Sequence, residues 1–423
     1  MRETGSLAAG GGRGVHRSYY RPMSEQPILI VGGGLVGASL AIALDAAGRR
    51  ATLVEAAAPR IDAQPSYDER NLALARATVN GLRAIGVWEH AERHATPIRH
   101  IHVSRAGDFG SVRMDAAELG VDAVGWTLPA RELGAALLRR LEQCRHLERL
   151  APARLAGILP GDDGWDARID SADGSRTLRA SLLVGADGTD SGVRAALGIG
   201  SDMHDYLQTL FVATVTPERD HRGRAYERFS DQGPVALLPL AERRAGLVLT
   251  VDSALADDIV TMDDAAFLAF AQERFGWRLG RLTRPGKRHP YAIRRVAAQT
   301  LTGPRAVLVG NAAQTVHPIG AQGFNLGLRD ALTLAEMVAC ENDPGGASLL
   351  ARYAARRAAD REATMAMSHG LVRLACLDEA AFGPLRSLGM FAFDRIPALR
   401  RALGRRGMGF GKEAPRAVLE KTP

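Results

Sequence analysis

The sequence predicts an α/β protein in which a discontinuous, Rossmann-like dinucleotide domain carries an inserted antiparallel-sheet domain and a C-terminal helical segment. Three apolar strands that end in glycine-rich loops are spread along the chain, within residues 27–55, 182–194 and 306–330. Residues 205–252 hold several strand-like runs that proline and glycine interrupt, as hairpins require. A chain of 423 residues also exceeds the size at which one core keeps growing, so we expect two coupled domains.

The order of these segments predicts the domain boundaries. We expect an unstructured extension at 1–24, the dinucleotide domain at 25–96, 128–204 and 301–345, the inserted substrate domain at 97–127 and 205–300, and C-terminal helices at 346–423. The extension has no apolar core that would mark a secretory signal. Its Gly-Gly-Gly run disfavours the amphipathic helix of a mitochondrial presequence, so Met23 is a candidate start.

Composition excludes several classes of protein. The net charge is +7, but the arginines are scattered until the C-terminal end, which disfavours a nucleic-acid partner. No run of 18 apolar residues occurs, so we expect no membrane span. The three cysteines, Cys144, Cys340 and Cys376, form no CxxC pair, which suits a reducing cytoplasm and argues against a cysteine-rich metal site.

The N-terminal elements form a βαβ unit: strand 28–31, helix 35–47 stopped by Gly48, and strand 51–55. Further along, apolar spacing predicts helices at 78–89, 131–141, 263–281, 327–337 and from 347 to about 406, and strands at 98–114 and 307–309.

The first glycine-rich loop has the spacing of a dinucleotide site. Gly32 permits a tight turn, Gly34 lets backbone N–H groups approach a pyrophosphate, and Gly37 allows the helix to pack closely on the strand. Glu55 ends the second strand, where its carboxylate can accept hydrogen bonds from a ribose diol. The glycines alone would fit an ordinary turn, but that reading leaves Glu55 unexplained.

The second and third loops are less specific when taken singly. Asp187 and Gly188 follow an apolar strand and could accept a hydrogen bond from a bound group, although an Asx turn explains them equally well. In the third stretch the chain turns from Asn311 through residues 317–323 and enters a helix at about Asn325. Small residues there let the backbone lie against a flat ring, and a helix N-terminus would stabilise negative charge on it. Such charge appears when a flavin is reduced.

Taken together, the three stretches resemble the flavin-dependent aromatic hydroxylases of the p-hydroxybenzoate hydroxylase type over roughly residues 27–410. Within that superfamily the chain is most similar to the ubiquinone-biosynthesis hydroxylases. The segment GNAAQTVHPIGAQGFNLGLRD resembles the 2-octaprenyl-6-methoxyphenol hydroxylases, and DERNLAL at 68–74 and the C-terminal LRSLGMFAFDRIPALRRALGRRGMGF match the same subgroup.

The resemblance implies FAD as the cofactor and NAD(P)H as a transient co-substrate, and it assigns roles to individual residues. The pyrophosphate would be held by Gly32, Gly34, Gly37 and Arg70, and the adenosine ribose by Glu55. Asp187 and Gly188 would contact FAD and take part when the nicotinamide binds, and Asn311 would bind the ribityl chain. The isoalloxazine would lie against Pro318, Gly320, Ala321, Gly323, Phe324 and Asn325. The catalytic candidates are His317, Pro318 and Gln322, with a structural role favoured for His317.

Three positions depart from the family pattern. Most of the superfamily has Asp where this chain has Asn311, and a neutral amide can still donate and accept. The subgroup usually has Ala-Gly where this chain has Gly320-Ala321, which adds a methyl group close to the expected ring. Arg131 lies one position from the usual arginine, so it carries little weight.

The resulting hypothesis is an FAD monooxygenase that hydroxylates a polyprenylated phenol in ubiquinone biosynthesis. Reduced nicotinamide would give hydride to FAD, and the reduced flavin would take up O2 to form a peroxy adduct that the phenol ring attacks. One alternative is an FAD-dependent isoprenoid reductase of the same fold. Another is a non-catalytic flavoprotein subunit of a biosynthetic complex.

Two further patterns leave alternatives. The pairs His90/His94 and His100/His102 have metal-ligand spacing but no third ligand, so surface or half-buried histidines are favoured and no metal is expected. Residues 386–416 are basic with interleaved Leu, Met and Phe. A peripheral contact with an anionic membrane and an ordinary docked terminal helix explain this segment equally well.

Overall fold

A computed structural model of the chain describes residues 26–58, 60, 64–376, 383–411 and 413–419. The expected extension at 1–24 lies outside the described residues. Across the described residues the strands are β1 (Ile28–Val31), β2 (Ala51–Val54), β3 (Asn71–Ala75), β4 (Thr96–Ile98), β5 (His100–Arg105), β6 (Ser111–Asp115), β7 (Gly125–Pro129), β8 (Leu147–Leu150), β9 (Ala153–Gly161), β10 (Gly164–Ser171), β11 (Gly174–Ala180), β12 (Leu182–Gly185), β13 (Ser201–Pro217), β14 (Arg224–Phe229), β15 (Val235–Pro239), β16 (Ala245–Asp252), β17 (Leu282–Thr283), β18 (His289–Ala298), β19 (Thr302–Gly303), β20 (Ala306–Leu308) and β21 (Gln314–Thr315).

The α-helices of the same residues are α1 (Leu35–Ala46), α2 (Arg76–Ala84), α3 (Trp88–Ala91), α4 (Ala130–Leu141), α5 (Gly192–Ala196), α6 (Ala256–Thr261), α7 (Asp264–Phe275), α8 (Gln322–Ala339), α9 (Ala347–Cys376), α10 (Gly383–Arg395) and α11 (Pro397–Gly407). Among the helices that the structure describes, none is long and apolar enough to cross a membrane.

The dinucleotide domain is built on a sheet that, in the described part of the chain, has six strands in the order β19-β20-β12-β1-β2-β8. The strand β1 lies between β2 and β12 and pairs with both in parallel. Leu29 and Ile30 are fully buried, as the apolar run predicts for a strand covered on both faces. The third stretch joins this sheet through β20, which pairs with β12 in parallel. The three separated strands therefore meet in one sheet.

A second sheet, with nine strands among the described residues, holds β5, β6, β13 to β18 and β21. Its strands pair antiparallel except for the parallel pair β14 and β5. Alternate residues of β13 lie on opposite faces. Phe211 packs in one cluster with Phe267 and Phe275 of α7, whereas Leu210 and Val212 face the other side. One face is thus closed by a helix, and the other is free to line a cavity.

Several predicted elements are divided differently in the structure. The strand predicted at 98–114 is three strands, of which β4 pairs with β7 in a separate small sheet. The helix predicted at 78–89 breaks between α2 and α3, where Gly86 has φ +72°. The helix predicted at 263–281 ends at Phe275, because Gly276 takes φ +84°. A left-handed glycine stops a helix in this way. The antiparallel strands β9 to β11 were not predicted.

Candidate active site

The two large sheets enclose a cavity of about 510 Å³. All three predicted stretches contribute to its wall. The predicted site residues that line it are Gly34, Arg70, Gly188, Asn311, Pro318, Gly320, Ala321, Gly323 and Phe324. Glu55 lines a second, smaller pocket together with Gly33. Gly33 is adjacent in the chain to Gly34, which lines the large cavity. The loops that the sequence placed together are therefore brought to one site.

The glycines of the first loop fit a close backbone crossing. Gly32 has φ +103°, and a Cβ on it would lie 2.4 Å from the carbonyl oxygen of Ala186. A Cβ on Gly37 would lie 1.9 Å from the carbonyl oxygen of Gly32. No side chain larger than hydrogen fits at either position. The loop thus presents the N-terminus of α1, with its free N–H groups, to the cavity at Gly34.

Glu55 braces the same loop. Its Oε2 accepts a hydrogen bond of 2.5 Å from the amide of Gly33, and its Oε1 accepts one of 2.7 Å from the amide of Ala57. A carboxylate oxygen has more than one acceptor position, so both oxygens can still accept from a ribose.

Ser66 is a site residue that the sequence did not reveal. Its side-chain oxygen is buried and has no hydrogen-bond partner within the described residues. The residue lines the cavity, and a Cβ on Gly34 would lie 3.1 Å from that oxygen. A buried hydroxyl without a partner is unfavourable unless a ligand supplies one. Together with the N–H groups of α1, it forms a set of donors that suits the pyrophosphate of a dinucleotide.

Arg70 provides the positive charge of this wall. Its Nε lies 2.7 Å from a carboxylate oxygen of Asp68, and its guanidinium lies 5.1 Å from the ring centre of Tyr291. The hydroxyl of Tyr291 donates to Asp68 over 3.2 Å. Arg70 is therefore held at the junction of the two domains by groups from both.

The side chain of Asp187 forms hydrogen bonds with nearby residues of its own loop. Its carboxylate accepts hydrogen bonds from the hydroxyl of Ser191 at 2.5 Å and from the amide of Val193 at 3.0 Å. These contacts fix the turn that starts α5, and the backbone of Gly188 and Thr189 lines the cavity beside it. Neither hydrogen bond is the contact with the second following residue that defines an Asx turn, and a direct contact of Asp187 with a cofactor stays a prediction.

The third loop closes the cavity through a strained turn. Gly320 has φ +69°, and Ala321, which caps α8, has φ +51°. The helix begins at Gln322, rather than at about Asn325 as expected. The buried side chain of Asn325 donates to the carbonyls of Ala73 and Ala321 and accepts from the amide of Ala75. These hydrogen bonds attach the loop to β3, and they link the Asn325 side chain to protein groups rather than to the cavity.

Two of the catalytic candidates have structural partners. His317 is buried and is not among the residues that line the cavity. Its Nδ1 accepts from the amide of Ile319 at 3.2 Å, and its Nε2 lies 3.3 Å from Oε1 of Gln208. Gln322 donates to the carbonyl of Gly320 at 3.0 Å. Of the three candidates only Pro318 lines the cavity, so a catalytic role for His317 or Gln322 stays a prediction without geometric support.

A network of buried charged side chains, which the sequence did not predict, contacts the start of the third loop. The carboxylate of Asp330 accepts from the amide of Gly310 at 3.1 Å, from the side chain of Gln314 at 2.7 Å and from Nε of Arg357 at 2.7 Å. Arg357 also pairs with Asp360 at 2.7 Å. Burial opposes the charge on Asp360, but Arg329 and Arg357 outweigh it and lower the pKa of that carboxyl.

Three of the four histidines in the pairs noted in the sequence contact other protein side chains. His100 lies 2.7 Å from Asp115, and the ring of buried His102 lies 5.7 Å from that of Tyr226. His94 lies 3.4 Å from Glu132. In the residues that the structure describes, no group of three or more His, Cys, Asp or Glu side chains is placed to hold a metal ion.

The wall opposite the loops is largely apolar and comes from the nine-stranded sheet. Leu210, Val212, Ala236, Leu238, Val248 and Ile293 line it. Glu227 of β14 is an acidic side chain in this wall. Burial raises the pKa of Glu227 to about 7. Although part of its surface opens onto the cavity, the carboxyl is surrounded by protein.

Comparison with known proteins places these features in context. The family described as "FAD binding domain" matches residues 25–368. The chain is 38% identical over 398 residues, 92% of each protein, to ubiquinone hydroxylase UbiL of Rhodospirillum rubrum. It is 32% identical, over 90% of its own length and 98% of the relative, to 3-demethoxyubiquinol 3-hydroxylase of Escherichia coli. The solved structure of p-nitrophenol 4-monooxygenase PnpA from Pseudomonas putida DLL-E4 is 20% identical and covers 90% of this chain and 97% of its own, with a TM-score of 0.72. The predicted fold class is thereby confirmed.

Proposed function

This chain belongs to the FAD-dependent aromatic-ring hydroxylases, as its motifs predicted, and we propose that it hydroxylates the ring of a polyprenylated phenol in ubiquinone biosynthesis. The relatives that suggest this pathway are matched over nearly their whole length. FAD is the cofactor, and NAD(P)H is the co-substrate typical of the family.

The observation that carries the proposal is a single cavity with two chemically different walls. One wall presents backbone N–H groups at Gly34, the hydroxyl of Ser66 and the guanidinium of Arg70. The other wall is the apolar face of the large sheet, which includes Val212 and Leu238. The first wall suits a polar dinucleotide, and the second suits an aromatic ring with a hydrocarbon tail.

We assign the residues that would hold FAD from the family resemblance, and we add Ser66 because of its position in the cavity wall. Gly32, Gly34, Gly37, Ser66 and Arg70 would bind the pyrophosphate, and Glu55 the adenosine ribose. Asn311 would bind the ribityl chain, and the turn from Pro318 through Asn325 would lie beside the ring system. When bound, FAD would supply two-electron chemistry and the activation of O2, while the protein positions the substrate and excludes water.

The C-terminal segment supports a peripheral membrane contact as part of this proposal. Leu388, Phe391, Ile396 and Leu399 are exposed. Arg395 lies among them in the sequence, and Arg400, Arg401, Arg405 and Arg406 follow directly on α11. An anionic membrane would attract the arginines and cover the apolar side chains, and it would deliver a polyprenyl substrate. The Arg386 side chain and Lys412 of the predicted basic segment lie outside the described residues.

The proposal is tested with purified FAD-loaded protein, NADH or NADPH, O2 and a short-chain prenylated phenol. We expect nicotinamide oxidation coupled to a product heavier by one oxygen atom, with the new oxygen derived from labelled O2. An unchanged rate of substrate turnover without O2 would instead indicate an isoprenoid reductase. A protein that keeps its FAD but is never reduced by nicotinamide would indicate a non-catalytic subunit. In the source organism, deletion of the gene should accumulate a quinone precursor that lacks one ring hydroxyl.

A further inference from the structure

We propose that Glu227 recognises the ring hydroxyl of the substrate and accepts its proton, an inference that rests on the proposed function as a phenol hydroxylase. The residue lies in the wall opposite the cofactor loops and lines the same cavity as Gly34 and Pro318.

The position of Glu227 follows from the alternation along β14. Ala225, Glu227 and Phe229 share one face of the strand. Phe229 packs against Ile319, which belongs to the loop after Pro318. The face that carries Glu227 is therefore the one that meets the loop expected to lie beside the flavin ring.

The surroundings of Glu227 are apolar. In register, its neighbours are Val103 on β5 and Ala236 on β15, and Val248 of β16 lies next to Ala236. Among the residues that the structure describes, no hydrogen bond or ion pair involves the Glu227 side chain. A buried carboxyl without a hydrogen-bond partner lowers the stability of the folded protein. A ligand hydroxyl would satisfy it.

The charged groups nearest to Glu227 in the sheet face away from it. His102 stacks near Tyr226, which packs against Phe275 on the helix-covered face. Arg228 is the next residue of the strand, and its guanidinium lies near Gly276, at the end of α7. From the other walls, Arg70, Tyr291 and Arg294 line the same cavity.

Burial accounts for the elevated pKa of Glu227, about 7. A carboxyl that changes protonation near neutral pH is suited to exchange a proton with a bound hydroxyl.

The proposed step is a proton transfer. The phenolic O–H bond breaks, an O–H bond forms on the Glu227 carboxylate, and the electron pair stays on the phenolate oxygen. The ring becomes richer in electrons at its ortho and para carbons, where an oxygen atom is to be added. The proton returns to the ring oxygen when the product leaves, so the step consumes no oxidant or reductant.

The carboxylate of Glu227 would also influence which substrates the protein accepts. A ring that carries its own carboxylate would be repelled by ionised Glu227 in an apolar cavity, where charges are weakly screened. An ionised Glu227 would therefore disfavour a hydroxybenzoate whose carboxylate lies against it.

The test compares the wild type with Glu227→Gln and with the control Glu273→Gln, which changes the same residue type at an exposed position of α7. The probes are 2-geranylphenol and its methyl ether. With FAD-loaded protein, NADPH or NADH and O2, we expect the wild-type rate of phenol hydroxylation to rise through pH 7. Glu227→Gln should lower it about 100-fold and abolish this rise, and Glu273→Gln should match the wild type.

Binding provides a second measurement that does not depend on turnover. The wild type should bind the phenol at least tenfold more tightly than the methyl ether above pH 7, as followed by the change in flavin absorbance. Glu227→Gln should bind the two within about threefold of each other. If Glu227→Gln does not retain FAD, Glu227→Asp, which keeps the carboxyl, should preserve the pH rise at a lower rate.

These measurements distinguish a failure of the proposed function from a failure of the proposed role of Glu227. If the wild type forms no hydroxylated product from any prenylated phenol, the proposed function fails, and the role of Glu227 fails with it. If the wild type forms product and Glu227→Gln retains both the rate and the pH profile, the role of Glu227 alone is overturned.

Discussion

The guanidinium of Arg357 donates from Nε to the carboxylate of Asp330 over 2.7 Å, and the arginine side chain is fully buried. The same carboxylate accepts from Gly310 and Gln314, at the start of the loop that closes the cavity. The helix α9, which carries Arg357, is thereby tied to that loop. The shape of the candidate site thus depends on a residue far from it in sequence.

Replacing Arg357 with Met should lower the free energy of unfolding by about 3–5 kcal/mol, because Asp330 would be left as a buried charge without its partner. We also expect weaker FAD retention, since the loop at Gly310 would lose its anchor. Urea unfolding measures the first effect, and the FAD content of the purified protein measures the second. The control is Arg352→Met on the same helix, which removes an exposed pair with Glu341 and should cost less than about 1 kcal/mol. Equal losses in the two variants would contradict the role of the network.

Ser66→Ala should weaken FAD binding without destabilising the FAD-free protein. The hydroxyl has no protein partner in the described part of the chain, so its removal breaks no internal hydrogen bond. Loss of one hydrogen bond to a charged phosphate should cost about 1.5–3 kcal/mol, or at least tenfold in affinity. Fluorescence titration of the FAD-free protein with FAD measures this change.

The control for this prediction lies nearby on α1. Ser39 is fully buried, and its hydroxyl donates to the carbonyl of Leu35 at 2.7 Å. Ser39 does not line the cavity, so Ser39→Ala should leave the affinity for FAD unchanged. If Ser66→Ala binds FAD as tightly as the wild type, Ser66 is not part of the pyrophosphate site.

Ala321→Gly should raise the thermal unfolding temperature of the protein. Ala321 has φ +51°, in the left-handed region, where a side chain costs roughly 1–2 kcal/mol. Glycine removes that strain, and its greater freedom in the unfolded chain offsets part of the gain, so we expect a net stabilisation of about 0.5–1 kcal/mol. Calorimetry of the FAD-loaded protein checks the sign. Ala339→Gly, at an exposed helical position of α8, should lower the temperature instead. A decrease in both variants would mean that Ala321 is not strained.

The dinucleotide loop and the meeting of the three stretches could be predicted from the sequence because each depends on local chemistry. Glycines at 32, 34 and 37 follow an apolar strand, and strands of one parallel sheet bring their loops to the same edge. The helix breaks at Gly86 and Gly276 were missed because a glycine near the end of a periodic run can also be tolerated within a helix.

The residues that complete the site could not be predicted, because their significance depends on partners distant in sequence. Glu227 shares one face of β14 with Ala225 and Phe229, and the sequence does not show that this face borders a cavity. Arg357 lies in a helix rich in arginine, where a charged residue is normally exposed. Ser66 has no motif, and only its position beside Gly34 reveals it.

Glu227→Gln should stabilise the protein at alkaline pH but not at acidic pH. Burial raises the pKa of Glu227 to about 7, above the value of about 4.3 expected in the unfolded chain. Below pH 4 both states are protonated, and the wild type and the variant should be equally stable. Between about pH 4.3 and 7 the unfolded state releases its proton first, so the stability of the wild type falls as pH rises.

Well above pH 7 the folded wild type carries the full cost of the buried charge, about 3–4 kcal/mol, which the neutral amide avoids. Urea unfolding of the substrate-free protein at pH 5 and pH 8 should therefore show a gap between Glu227→Gln and wild type that widens with pH, while Glu273→Gln shows no such trend. A gap that is the same at both pH values would mean that water or a protein group already stabilises the carboxylate. That result would leave Glu227 without the elevated pKa on which its exchange of a proton near neutral pH depends.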